Sequence, residues 1–192
     1  MISIDDFHPS NIRLANMIKK YGLEKDTWFA IEIDKREKVE QIEELALMGF
    51  NFASHTETHA HLSRIPIDEA IHEMKFSKQF LEDITGQKIE WLIYPRGRYN
   101  EEVIKEAKKL GYKYGRTTKL LDLSDMERGG CHLSYPRTEY KGIDPFDWAK
   151  KSHLNHYWAH CFEIIKFDLM DKFEEFLKWY KDENSSSRTK TK

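Results

Sequence analysis

The apolar positions of the chain switch between two periods. Residues 2–6, 27–33 and 50–54 are short apolar runs of strand character, each followed by a stretch with apolar residues at helical spacing. Ile12, Leu14, Ala15 and Ile18 mark the first helix, and Val39, Ile42, Leu45 and Ala46 the second. Ile67, Ala70, Met74, Leu81 and Ile84 mark a third over 66–85, and Gly22, Gly49 and Gly86 supply the stops. A strand at 89–94 follows, then a helix carrying Val103, Ile104, Ala107 and Leu110 behind Asn100 as N-cap, then a strand at 112–118. Residues 119–130 carry no clear period and read as a loop. Strands at 131–135 and 155–164 and a helix built on Leu169, Phe173, Phe176 and Tyr180 complete the pattern. Asp144 reads as a cap with Pro145 in the first turn of a further helix. Residues 184–192 read as a disordered polar tail behind a single domain over 1–183.

Seven strands alternating with helices predict an α/β fold with a parallel sheet covered by helices. The count favours an incomplete or distorted β/α barrel over an open doubly wound sheet. No glycine-rich turn follows a strand, which excludes a dinucleotide fingerprint and a phosphate-binding loop.

Composition narrows the function classes. With 192 residues the chain buries a sufficient core without disulfides, and a formal net charge of −2 gives no electrostatic case for nucleic acid. No run reaches membrane-spanning length and no basic leader precedes an apolar stretch, so a cytoplasmic location is expected. Cys131 and Cys161 read as free thiols. The chemistry-bearing type in excess is histidine, with 9 copies.

Strand C-terminal ends are where barrels collect their chemistry. The first strand ends in Asp5-Asp6 and the third in Ser54-His55-Thr-Glu-Thr-His59, and the last contains His156-Tyr-Trp-Ala-His160. His55 and His59 are four apart, a spacing that on a helical turn puts both imidazoles on one metal ion. Two imidazoles and a carboxylate are a usual three-ligand set for a catalytic zinc. Asp5 and Asp6 point to opposite sides of a strand, so one suits a ligand and the other a base for metal-bound water.

These segments, in this order, resemble the polysaccharide deacetylases, the NodB-homology domain of carbohydrate esterase family 4. Ile4-Asp5-Asp6-Phe7 is similar to the family's first motif, the His55–His59 segment to its second, Tyr94-Pro95-Arg96-Gly97 to its third and His156–His160 to its fifth. The resemblance implies a distorted (β/α)7 barrel that removes an N-acetyl group from an amino sugar or glycan. It implies Asp5 as base, a divalent cation, most simply Zn²⁺, on Asp6, His55 and His59, and His160 as the acid that protonates the leaving amine. The backbone N–H of Arg96 would hold the oxyanion, and Trp158, on the face of His160, would wall the acetyl methyl.

The departures are specific. Phe7 replaces a glycine, and the arginine that orients the base aligns with Ile93. Arg137, in Tyr135-Pro-Arg-Thr138, is the expected substitute. Asp144-Pro-Phe-Asp-Trp148 spells the fourth motif but reads as a helix start. His8 and Glu163 are candidate partners of the site, whereas His61, His72, His132 and His153 read as ordinary residues. Two other functions fit the sequence: a glycan-binding barrel without hydrolysis, and hydrolysis of a ureide or cyclic amide.

Overall fold

The computed structural model describes residues 1–120, 126–152 and 154–189, with side chains up to 185. Among the described residues there are eight short strands: β1 (Ile2–Asp5), β2 (Thr27–Ala30), β3 (Asn51–Phe52), β4 (Trp91–Ile93), β5 (Tyr114–Arg116), β6 (Glu127–Arg128), β7 (Cys131–His132) and β8 (Tyr157–His160). The helices are α1 (Asn11–Lys20), α2 (Arg36–Leu47), α3 (Ile67–Thr85), α4 (Glu101–Lys109), α5 (Pro145–Ser152), α6 (Cys161–Lys166) and α7 (Met170–Thr189). Among the described residues, no helix is long and apolar enough to cross a membrane.

All strand ladders among the described residues are parallel. One sheet runs β3-β2-β1-β8-β7 and another β4-β5-β6. A parallel bridge between Ser54 and Leu92 joins them, with Ser54 N–H donating to Trp91 O at 3.0 Å and Ile93 N–H to Ser54 O at 2.8 Å. The strands therefore follow one another as β7-β8-β1-β2-β3-β4-β5-β6, the cyclic order of a barrel with a seam between β6 and β7. All four residues of β1 are buried, as a strand covered on both faces requires. Ile2, Ile4, Phe29 and Phe52 join residues of α1, α2, α3 and α7 in one continuous core.

Three elements differ from the sequence pattern. β6 lies where a loop is expected, because a two-residue strand of Glu127 and Arg128 has no apolar period to reveal it. β8 ends at His160 and α6 begins at Cys161, so the strand expected to reach residue 164 gives way to a helix. α7 continues to Thr189, so residues 184–189 are helical where a disordered tail is expected. Asp144 caps α5 as expected, its Oδ1 accepting from Phe146 N–H at 3.0 Å.

One glycine is set by close approach. A Cβ on Gly115 of β5 would lie 2.6 Å from the ring of Tyr94, so only glycine lets β5 and the turn after β4 share that space.

Candidate active site

β1 delivers its last residue, Asp5, into the barrel interior, where it is 1% exposed. One carboxylate oxygen accepts from Ser3 Oγ at 3.1 Å, and the other is paired with the guanidinium of Arg116. Arg116 ends β5, four places round the ring from β1, so this ion pair crosses the barrel interior. Arg116 is itself 1% exposed and lies 4.5 Å over the ring of Trp158. Burial pulls the guanidinium below its ordinary value, yet arginine's high intrinsic basicity and the Asp5 carboxylate keep it charged near neutrality. Behind Ser3, His156 Nε2 lies 3.3 Å from the Ser3 hydroxyl. Burial, then the charge of Arg116, hold that imidazole neutral.

The chain turns immediately after β1. Asp6 has φ of 65°, a left-handed conformation that an aspartate tolerates and most residues do not. Phe7 is not left-handed, so the glycine expected in its place is not needed: the turn falls one residue earlier, and Phe7 N–H donates to Glu32 Oε2 at 3.2 Å. The turn aims the Asp6 carboxylate at three imidazoles. His55 Nε2 is 3.0 Å and His59 Nε2 3.4 Å from Oδ1, and His160 Nε2 is 3.7 Å from Oδ2.

His55 and His59 do not sit on a helical turn. They come together, ring centroids 4.7 Å apart, through a loop in which Thr56 (φ 67°) and His59 (φ 61°) are both left-handed. Ligand atoms of Asp6, His55 and His59 all lie within 4.8 Å of one another. His55 Nδ1 lies 2.7 Å from the carbonyl of Ile93, which only accepts, so the proton of a neutral ring is on Nδ1. Its Nε2 lone pair then faces the Asp6 carboxylate, two acceptors 3.0 Å apart. That confrontation is relieved by a cation between them, and the anchored Nδ1–H is the usual backing of a metal-bound histidine. The donor set therefore fits a divalent metal of zinc type.

Electrostatics agree with that fit. Burial pushes the Asp6 carboxyl up, but positive charge facing it, whether a proton on His55 first or on His160 and His59 after it, more than reverses this and holds it well below the usual carboxylate range; a cation in that place acts in the same direction. Burial and the neighbouring His55 lower His59, favouring the neutral ring that a metal binds.

His160 ends β8 beside Asp5 in the β1–β8 register. Its Nδ1–H donates to Glu163 Oε2 at 2.8 Å. The same oxygen accepts from His132 Nε2–H at 2.8 Å and from Ser134 Oγ–H at 2.6 Å. Burial raises the Glu163 carboxyl, and these three donors together carry it well below its ordinary value. Glu163 therefore presents a fixed anion to His160, one turn into α6.

The expected residues fall into two groups. Asp5, Asp6, His55, His59, Arg96, Trp158 and His160 line one cleft of about 270 Å³, with Arg116 among them. Arg137 does not: its guanidinium bonds the Thr118 carbonyl and Glu139, and it lines a separate groove beside Tyr135 and Phe146. The strand expected to carry it ends at His132, so Arg137 lies in the loop beyond. Arg116 takes the place beside Asp5, and the sequence signal for it was an arginine at the end of an otherwise buried strand. His8 forms its own turn, its Nδ1 accepting from Ser10 N–H at 3.1 Å, and is not among the cleft residues. His132, read as ordinary, stacks on Trp158 at 3.7 Å and joins Glu163. His153 lies outside the described residues.

Comparison with known proteins agrees with this geometry. The family model for polysaccharide deacetylase matches residues 1–115, and the chain belongs to that family. It is 37% identical over 123 residues to "Putative polysaccharide deacetylase YxkH" of Bacillus subtilis (strain 168), covering 62% of this chain and 44% of that protein. Among solved structures it resembles the Streptococcus pyogenes deacetylase PplD in complex with acetate, with TM-score 0.54, 27% identity, 61% of this chain and 54% of that one covered. A family 4 carbohydrate esterase from Streptomyces lividans in complex with acetate shares the fold over 94% of this chain and 88% of its own, with TM-score 0.64 at 15% identity. The chain thus spans about half the length of YxkH and PplD.

Proposed function

We propose that this protein is a metal-dependent hydrolase that removes an N-acetyl group from an amino sugar or glycan. The observation that carries the reading is the convergence of Asp6, His55 and His59 beside an ion-paired Asp5 and a carboxylate-backed His160, in one cleft. A divalent ion on Asp6, His55 and His59 would supply an acidified water and polarise the acetamide carbonyl.

The chain's own residues supply the remainder. Asp5, held in place by Arg116 and Ser3, takes the proton of the attacking water. The backbone N–H of Arg96 stabilises the oxyanion at the cleft wall. His160, steadied through Nδ1 by Glu163, hands its Nε2 proton to the departing nitrogen, which leaves poorly as an anion. Trp158 lies beneath this centre and packs against the acetyl methyl. Asp144 caps α5 and pairs with Lys172 at 2.7 Å, so Glu163, not the Asp144 segment, backs the acid.

An arginine-less base favoured the non-hydrolytic glycan-binding reading, and Arg116 removes that feature. The test is acetate release from a panel of N-acetylated amino sugars and their oligomers, with zinc and with chelator. Zinc-dependent release is expected. Asp5→Asn is expected to keep the metal and lose about a thousandfold in turnover; wild-type turnover in that variant rejects Asp5 as base.

A further inference from the structure

Beside the cleft, and joined to it through His160, lies a second cluster with metal-ligand chemistry. Ligand atoms of His132, His160 and Glu163 lie within 4.8 Å of one another, two imidazole nitrogens and one carboxylate oxygen. His132 ends β7, His160 ends β8 and Glu163 lies in α6, so all three stand on regular elements. Each is at least partly withdrawn from solvent, with side-chain exposures of 9%, 19% and 12%. Trp158 fixes the His132 ring by stacking on it at an angle of 8°, and Ser134 Oγ braces the Glu163 oxygen. Both nitrogens lie 2.8 Å from one carboxylate oxygen, so a spread of about 0.5 Å would open each pair to the roughly 3.3 Å that separates tetrahedral ligands of an ion bound at about 2.0–2.1 Å.

We propose that this cluster is a second, inhibitory site for a zinc-type divalent cation. The His₂-carboxylate donor set selects zinc, copper or nickel over magnesium or calcium. Binding there expels the protons from His132 Nε2 and His160 Nδ1 to solvent and puts the metal on both nitrogens. His160 is shared: its Nδ1 faces this cluster while its Nε2 faces Asp6. An imidazole metallated on Nδ1 keeps a proton on Nε2 but gives it up far less readily than an imidazolium does. The second ion therefore leaves the first centre intact and makes His160 a poor proton donor. The inhibitory effect rests on the deacetylase reading; the binding site does not.

The experiment titrates zinc chloride into the metal-stripped chain of 192 residues, reading bound zinc by elemental analysis and acetate release in parallel. The wild type is expected to bind about two equivalents, the second weaker, with turnover rising through the first and falling about a hundredfold through the second. His132→Phe, which keeps a ring against Trp158, is expected to bind about one equivalent. Within that variant, excess zinc should change turnover by less than about twofold. His132→Gln gives the same result if the Phe variant fails to fold, with circular dichroism checking both. A wild type that stops at one equivalent overturns the proposal, as does a His132 variant that still binds two. Two equivalents with no acetate release at any zinc level would sink the deacetylase reading and the inhibition while leaving the second site standing.

Discussion

The two histidine–carboxylate clusters that meet at the cleft through Asp6 and His160 are built in opposite ways. The Asp6–His55–His59 group rests on backbone that L-residues disfavour: Asp6, Thr56 and His59 are all left-handed, at a cost of about 1 kcal/mol or more each. The His132–His160–Glu163 group stands on ordinary strand and helix geometry, its members joined by hydrogen bonds of 2.8 Å. The first lies within residues 1–115, which the family model matches, and the second beyond it. Left-handed backbone brings the first three donors together from a turn and a loop. The second three are brought together by regular elements without it. The half of the site proposed to bind a metal thus lies inside the matched region, and the half proposed to donate a proton lies beyond it.

The comparison breaks most completely at the first cluster. His55→Ala is expected to lose the first metal equivalent and reduce acetate release to background, read by elemental analysis and turnover together. Next comes the ion pair that spans the interior. Arg116→Met strands a buried carboxylate, and a fall of about 3–5 kcal/mol in unfolding free energy is expected by denaturant titration, with a loss of turnover. At the second cluster, Glu163→Gln is expected to lower turnover by about 10- to 100-fold while the first metal equivalent stays bound.

The same variant sharpens the contrast through pH. The folded Glu163 carboxyl titrates below its unfolded value, so its contribution to stability is complete above the unfolded value and is lost as pH falls towards the folded one. Between about pH 5 and pH 3 the melting temperature of Glu163→Gln should therefore fall less than that of the wild type. The smallest effect belongs to Arg137→Ala, which leaves the Asp5 ion pair untouched and should change turnover by less than about twofold.

Much of this was written in the pattern of the chain. Strand–helix alternation, the barrel class and the placing of Asp5, Asp6, His55, His59 and His160 follow from apolar period and from acids and histidines at strand ends, whereas Arg96 and Trp158 entered through the family resemblance. What escaped has physical reasons. β6 is a two-residue strand of charged side chains, with no apolar alternation to mark it. Arg116 joins Asp5 across the interior, and such a contact depends on ring closure, which no local pattern encodes. Arg137 was favoured by nearness to a predicted strand that stops five residues short of it. The His55–His59 spacing led to the right pair through the wrong local geometry, because four residues also bring two side chains together in a loop with left-handed turns.

The bare backbone at Gly115 has a consequence for enzymology. It sits one residue before the guanidinium that steadies Asp5, against a tyrosine that cannot retreat because it is buried in the core. A single added methyl there would shoulder the fifth strand outward and draw the arginine off its carboxylate. A position with no chemistry of its own would then govern the cleft, and it would do so without touching Asp6, His55, His59 or His160.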